Sequence, residues 1–152
     1  MVLTGLRRSE LCGLMYDDVE KDVVHIRRSI NKEGEKTQGK TQAARRYMVL
    51  SSHALRVLDG QAEMLKTRGI IHSEYILPDQ TAQRTDPAHL YKAWCAYRKQ
   101  NGIMCSLHEM RHTLVSVSRA EIPEQMLKPV LGHTKNMDTF GLYGHEVDGD
   151  RK

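Results

Sequence analysis

The chain has 152 residues and a mass of 17.4 kDa, room for one domain of ordinary size. At 39% hydrophobic and 28% charged, with a mean hydropathy of -0.56, it is too polar for a membrane protein and too apolar for a disordered one. Lysine and arginine number 23 against 19 acids, and the resulting +4 permits a polyanionic partner without requiring one.

The predicted elements start with a short helix over Ser9 to Leu14, ending at Gly13 or soon after. Val23-Val24-His25-Ile26 is a β-branched run, and after the turn-prone residues Asn31 to Gly34 come Thr37 to Thr41 and Arg46 to Leu50. These predict a small three-stranded antiparallel sheet. From Ser51 the period changes. Leu55, Leu58, Ala62 and Leu65 share one face of a helix that Ser51 or Ser52 can cap and Gly69 can stop. Residues 70–85 read as a loop with a brief strand at Tyr75-Ile76-Leu77. Asp86-Pro87 is an N-cap followed by proline in the first turn, with Leu90, Trp94 and Tyr97 as the buried stripe and Gly102 as the stop. Ser106 and Glu109 have capping-box spacing, so the next helix starts at Leu107 and sets His108 and Arg111 at i and i+3. Pro123 opens a shorter helix toward Gly132, which Pro129 should kink or shorten, and a last helix carries Tyr143. The sum is a mainly helical α+β domain with one small sheet. Met15, Met48, Met64 and Met126 are expected as core filler.

No segment approaches the roughly 20 apolar residues of a bilayer span. Residues 1–20 carry arginine and acids where a secretory leader would be apolar. No membrane partner is expected, and the location expected is the cytoplasm. Cys12, Cys95 and Cys105 make an odd set without a C-x-x-C pair, which indicates reduced thiols rather than a disulfide framework or a cysteine zinc site.

His108-Glu109-Met110-Arg111-His112 fits H-E-x-x-H, the helical zinc-protease pattern of two imidazoles one turn apart with a glutamate base. That site needs a third ligand; the extended pattern asks for glycine and histidine where this chain has Val115 and Ser118. Arg111 would also set a permanent cation beside the metal. The same residues read otherwise as His108-x-x-Arg111, and then they have company. Thr4-Gly5-Leu6-Arg7-Arg8-Ser9-Glu10-Leu11 lies upstream, Lys40-Thr41 precedes Arg45-Arg46-Tyr47-Met48-Val49-Leu50, and Leu131-Gly132-His133 and Tyr143-Gly144-His145 follow.

In order and spacing these boxes resemble the catalytic domain of the tyrosine recombinases, the integrases of phages and conjugative transposons, over nearly the whole chain. The resemblance implies a DNA breaking-rejoining domain that acts on double-stranded attachment sites, in a tetrameric synapse with other protomers, in a bacterial or phage-infected cell. It maps the catalytic set to Arg7, Lys40, His108, Arg111, His133 and Tyr143, with no metal and no cofactor. Arg8, Arg45, Arg46, Lys92 and Lys135 are the expected DNA contacts. Family members carry a DNA-clamping domain ahead of the first-arginine box. The chain starts three residues before Thr4, so residues 1–152 are expected to be a catalytic domain truncated at its N-terminus, with the upstream core-binding domain absent. A fragment that grips DNA without cutting it is the other reading.

The implied chemistry suits these residue types. A phosphodiester's charged oxygens repel a nucleophile, and guanidiniums neutralise them with paired N–H donors where charge grows in the transition state. In this scheme His133 donates to the phosphate, and Tyr143 attacks phosphorus to form a 3′-phosphotyrosyl link. His108 relays the phenolic proton. Lys40 protonates the leaving 5′-oxygen. Ionising a free phenol at pH 7 costs about 4 kcal/mol, which the surrounding cations must offset.

Overall fold

The helices are set by local signals that the structure reproduces. In this computed structural model, residues 1–31, 36–37 and 45–131 are described. Helix α1 spans Arg8–Cys12, α2 Ser52–Thr67, α3 Pro87–Gln100, α4 Leu107–Arg119 and α5 Glu124–Leu131. The Ser51 hydroxyl accepts the Ala54 N–H at 3.2 Å and so caps α2. Past its other end the Ile70 N–H bonds back to the Leu65 carbonyl, and Gly69, at φ +75°, supplies the left-handed residue that this wrap requires. Asp86 caps α3 through Ala88 and His89, with Pro87 in the first turn. Ser106 and Glu109 form the expected capping box at the head of α4. Helix α5 continues past Pro129 to Leu131.

The sheet differs from the expected one in its membership. Strands β1 (Val19–Glu20), β2 (Val23–Ile26) and β5 (Arg46–Val49) form the antiparallel three-stranded sheet, with Val24 opposite Met48 and His25 opposite Tyr47. The third strand is therefore Val19–Glu20. Of the expected strand Thr37 to Thr41, only Thr37 is described. It belongs to β4 (Lys36–Thr37), which pairs with β3 (Ser29–Ile30) in a separate two-stranded ribbon. The chain turns from β1 into β2 within two residues, Lys21 taking φ 56°. In place of the expected strand at residues 75–77, Tyr75 forms a single bridge to Met15 and Pro78 another to Arg84.

The main core joins the inner face of this sheet to α1 and α2 through Leu6, Leu14, Val24, Ile26, Met48, Leu50, Ala54 and Ile76. A second cluster, Val115, Leu127 and Leu131 with Leu114 against it, fastens α4 to α5. Helix α3 lies at the rim. Leu90 and Trp94 are half-buried and Tyr97 is 53% exposed, contrary to the expected buried stripe. The physical reason is that α3 leans on α1 and on the segment before α4, where the Trp94 indole N–H donates to the Cys105 carbonyl at 3.2 Å. Met48 is core, as expected, whereas Met126 is 67% exposed. Among the described residues no helix is long and apolar enough to cross a membrane.

Candidate functional site

Arg7 caps α1 and is held there by Glu10, one turn ahead. The Glu10 carboxylate accepts the Arg7 backbone N–H at 2.8 Å and its Nη1 at 2.9 Å. The same carboxylate accepts a second guanidinium, that of Arg46 on β5, through two parallel bonds of 2.9 Å each. Burial pushes the Glu10 carboxyl up, but the hydrogen bonds and charge of Arg46, then those of Arg7, outweigh it and bring it down to about 2. Arg7 keeps 37% of its side chain exposed on this fixed base.

That base forms one wall of a cleft of about 640 Å³. Arg7, Arg8 and Ser9 come from α1, Ile30 and Asn31 from the end of β3, Pro87 and Tyr91 from α3, and Ser106 to His108 from the head of α4. No carboxylate is among these lining residues, while Arg7 and Arg8 bring two permanent cations. The opening is therefore suited to an anion.

Arg111, one turn along α4 from His108, is only 3% exposed. Its guanidinium donates to the Gly5 carbonyl, and to the Leu131 carbonyl at 2.6 Å. Only Leu6 separates Gly5 from Arg7, so Arg111, itself on α4, joins the arginine-bearing turn to the end of α5. Gly5 has φ +62°, and a Cβ there would stand 2.9 Å from Leu114 Cδ2 and 3.0 Å from Leu131 Cδ2. Gly5→Ala therefore combines a left-handed alanine with crowding of two leucines and should cost about 2 kcal/mol. In a thermal melt that corresponds to a drop of roughly 4–8 °C; an unchanged melting temperature would mean that the turn relaxes at no cost.

The sequence-predicted set thus divides. Arg7 and His108 face one cleft, while Arg111 is buried one turn along α4 and bonded to Gly5 and Leu131. Lys40, His133, Tyr143 and Lys135 lie outside the described residues. Among the expected DNA contacts, Arg8, Arg45 and Lys92 are exposed. Arg46 is not placed as expected. Its side chain is 6% exposed and committed to Glu10, because alternation along β5 turns residues 46 and 48 inward. Glu10 is the residue that the reading by motif passed over. Its signal was present in Arg7-Arg8-Ser9-Glu10, where an acid three residues past a helix cap can reach back.

The zinc reading gains no support from the geometry. His108 and His112 meet edge to face with ring centroids 4.5 Å apart, and among the described residues no third ligand joins them. Glu109 accepts the Ser106 N–H at 2.5 Å, and bonding to Ser106 holds its carboxyl below the usual carboxylate range, so the would-be base is occupied as a helix cap.

A sequence profile of the phage integrase family matches residues 1–149. The chain belongs to this family. No curated protein matches it significantly. Among solved structures, the integrase resembles the XerA recombinase with a TM-score of 0.74 at 21% identity, over 97% of this chain and 51% of that one. The Tn1549 transposon integrase in complex with circular intermediate DNA gives a TM-score of 0.79 at 20% identity, over 97% of this chain and 54% of that one. The lambda integrase catalytic core gives 0.62 at 17% identity, over 90% and 77%. The integrase chain thus spans about half the length of the XerA and Tn1549 structures, and its fold is the one they share.

Proposed function

We propose that this chain is the catalytic domain of a site-specific DNA recombinase that cuts and rejoins strands through a 3′-phosphotyrosyl intermediate on Tyr143. The observation that carries this reading is the convergence of Arg7 and His108 on one cleft whose described lining holds no carboxylate, with Arg111, one turn along α4 from His108, tied to Gly5. A scissile phosphate seated there would meet the fork of Arg7. Arg111, relinquishing its carbonyl partners, would supply the second fork as negative charge builds on phosphorus.

In this scheme His108 takes or relays the proton of Tyr143, and Lys40, three residues beyond β4, protonates the departing 5′-oxygen. His133, two residues past the Leu131 that Arg111 grips, donates to the phosphate. One phosphodiester is exchanged for another of similar energy, so the cycle needs neither ATP nor a metal. Solved relatives include a lambda integrase tetramer bound to a Holliday junction. By likeness, we infer that this domain works on duplex attachment sites with other protomers and with an upstream DNA-clamping domain, in the cytoplasm of a bacterial or phage-infected cell.

The test uses a mixed-sequence duplex pool whose phosphodiesters carry a 5′-bridging sulfur, so that the thiolate leaves without an acid and traps the adduct. The chain should become covalently joined to DNA 3′ ends, at an undiminished rate in excess EDTA. DNA bound without any adduct would reduce the chain to a gripping module, and an adduct abolished by EDTA would overturn the metal-free scheme.

A further inference from the structure

The described arginines near the cleft are mostly engaged. Arg7 and Arg46 share Glu10, Arg28 and Arg27 reach Asp18 at 2.5 and 3.4 Å, and Arg111 takes backbone carbonyls. Arg8 differs. Among the described residues no carboxylate pairs with it, and its guanidinium carbon lies 5.3 Å from the centroid of the Tyr91 ring, held against an aromatic face. Both side chains are exposed, Tyr91 by 44%, and both line the cleft that holds Arg7 and His108. A ring face attracts a guanidinium without occupying its in-plane N–H donors, so the stack fixes direction and leaves those donors to other partners.

We propose that Arg8, stacked on Tyr91, forms a second phosphate-binding position in this cleft, that it takes a DNA phosphate flanking the one held at Arg7, and that Tyr91 is its positioning residue. The proposal rests on the reading of the cleft as a DNA phosphate site. Adjacent phosphates on one strand are chemically identical, so two neighbouring guanidiniums on successive residues can hold consecutive ones. Arg7 is bound to Glu10 and keeps its place without DNA. Among the described residues Arg8 has no such acid, and the Tyr91 face holds its long side chain back from sampling solvent.

The affinity of the chain for a mixed-sequence DNA duplex, followed across a salt titration, tests this. Arg8→Ala should reduce the slope of log affinity against log salt by about 1, the signature of one lost phosphate contact. Tyr91→Leu should weaken binding by roughly two- to fivefold, and Tyr91→Phe, which keeps the ring face, should restore it. In the Arg8→Ala background Tyr91→Leu should have almost no further effect, a coupling that a merely structural tyrosine would not show. A wild-type chain that binds no DNA defeats the phosphate-site reading and this proposal with it. DNA binding with a slope unmoved by Arg8→Ala, or with additive effects of the two substitutions, overturns this proposal alone.

Discussion

Replacing Tyr143 by phenylalanine should abolish the protein–DNA adduct while leaving DNA affinity within about twofold, since the substitution keeps the aromatic ring and removes only the attacking oxygen. The effect is the largest expected of any substitution, because a phenyl ring has no oxygen with which to form the bond to phosphorus. Losing a covalent nucleophile lowers rates by on the order of a millionfold where such losses are known. Gel separation of denatured protein–DNA species, followed by peptide mapping of the wild-type adduct, reads the outcome. An adduct that persists in the variant at the wild-type rate would place the nucleophile on another residue and dissolve the assignment of the Tyr143-Gly144-His145 box.

The second large effect concerns Glu10. Its replacement by alanine leaves Arg46, 6% exposed, as a buried charge without its carboxylate and frees Arg7 from its anchor. Breaking one side of a buried pair costs about 3–5 kcal/mol, against a total stability of roughly 5–15 kcal/mol for a domain. Denaturant unfolding should report a loss of that size at pH 7. The pH dependence has a definite sign. The carboxyl lies at about 2 instead of 4.5, so its contribution is complete above pH 4.5 and is lost as the pH falls through 2. The difference amounts to about 3 kcal/mol. Wild type and Glu10→Ala should therefore converge in stability between pH 4.5 and 2. A gap that stayed constant over that window, or one below about 1 kcal/mol at pH 7, would show that the two arginines do not depend on this acid.

What could be read from the sequence was what neighbours in the chain decide. Ser51, Asp86 and the Ser106–Glu109 pair fixed three helix starts because capping is settled within one turn, and the Gly69 stop is equally local. The ordered boxes brought out Arg7, His108 and Arg111, since these residue types carry their chemistry openly. The misread positions depended on distant partners. Arg46 looked like a phosphate contact because arginine is rarely buried, and its acid lies 36 residues away. On the same strand Tyr47 and Val49, apolar in sequence, are 68% and 67% exposed, so alternation put the charge inside and the apolar groups outside. Val19–Glu20 is too short to show a two-residue period at all. Trp94 and Tyr97 had a helical spacing that suggested burial, but spacing cannot tell whether a helix lies over the core or at its rim. Lys40, His133 and Tyr143, assigned by order alone, fall outside the described residues.

A carboxylate that serves two arginines also restricts how the sequence can drift. Changing Glu10 alone leaves the buried Arg46 without its carboxylate and removes the anchor of Arg7, whereas changing Arg46 alone takes one of its two guanidiniums from a buried acid. Selection on the position of Arg7 would thus act on a buried β-strand residue as well. In related integrases, positions 7, 10 and 46 should be exchanged as a group or kept as a group, so that a paired substitution at 10 and 46 marks lineages that rebuilt the support for the first arginine.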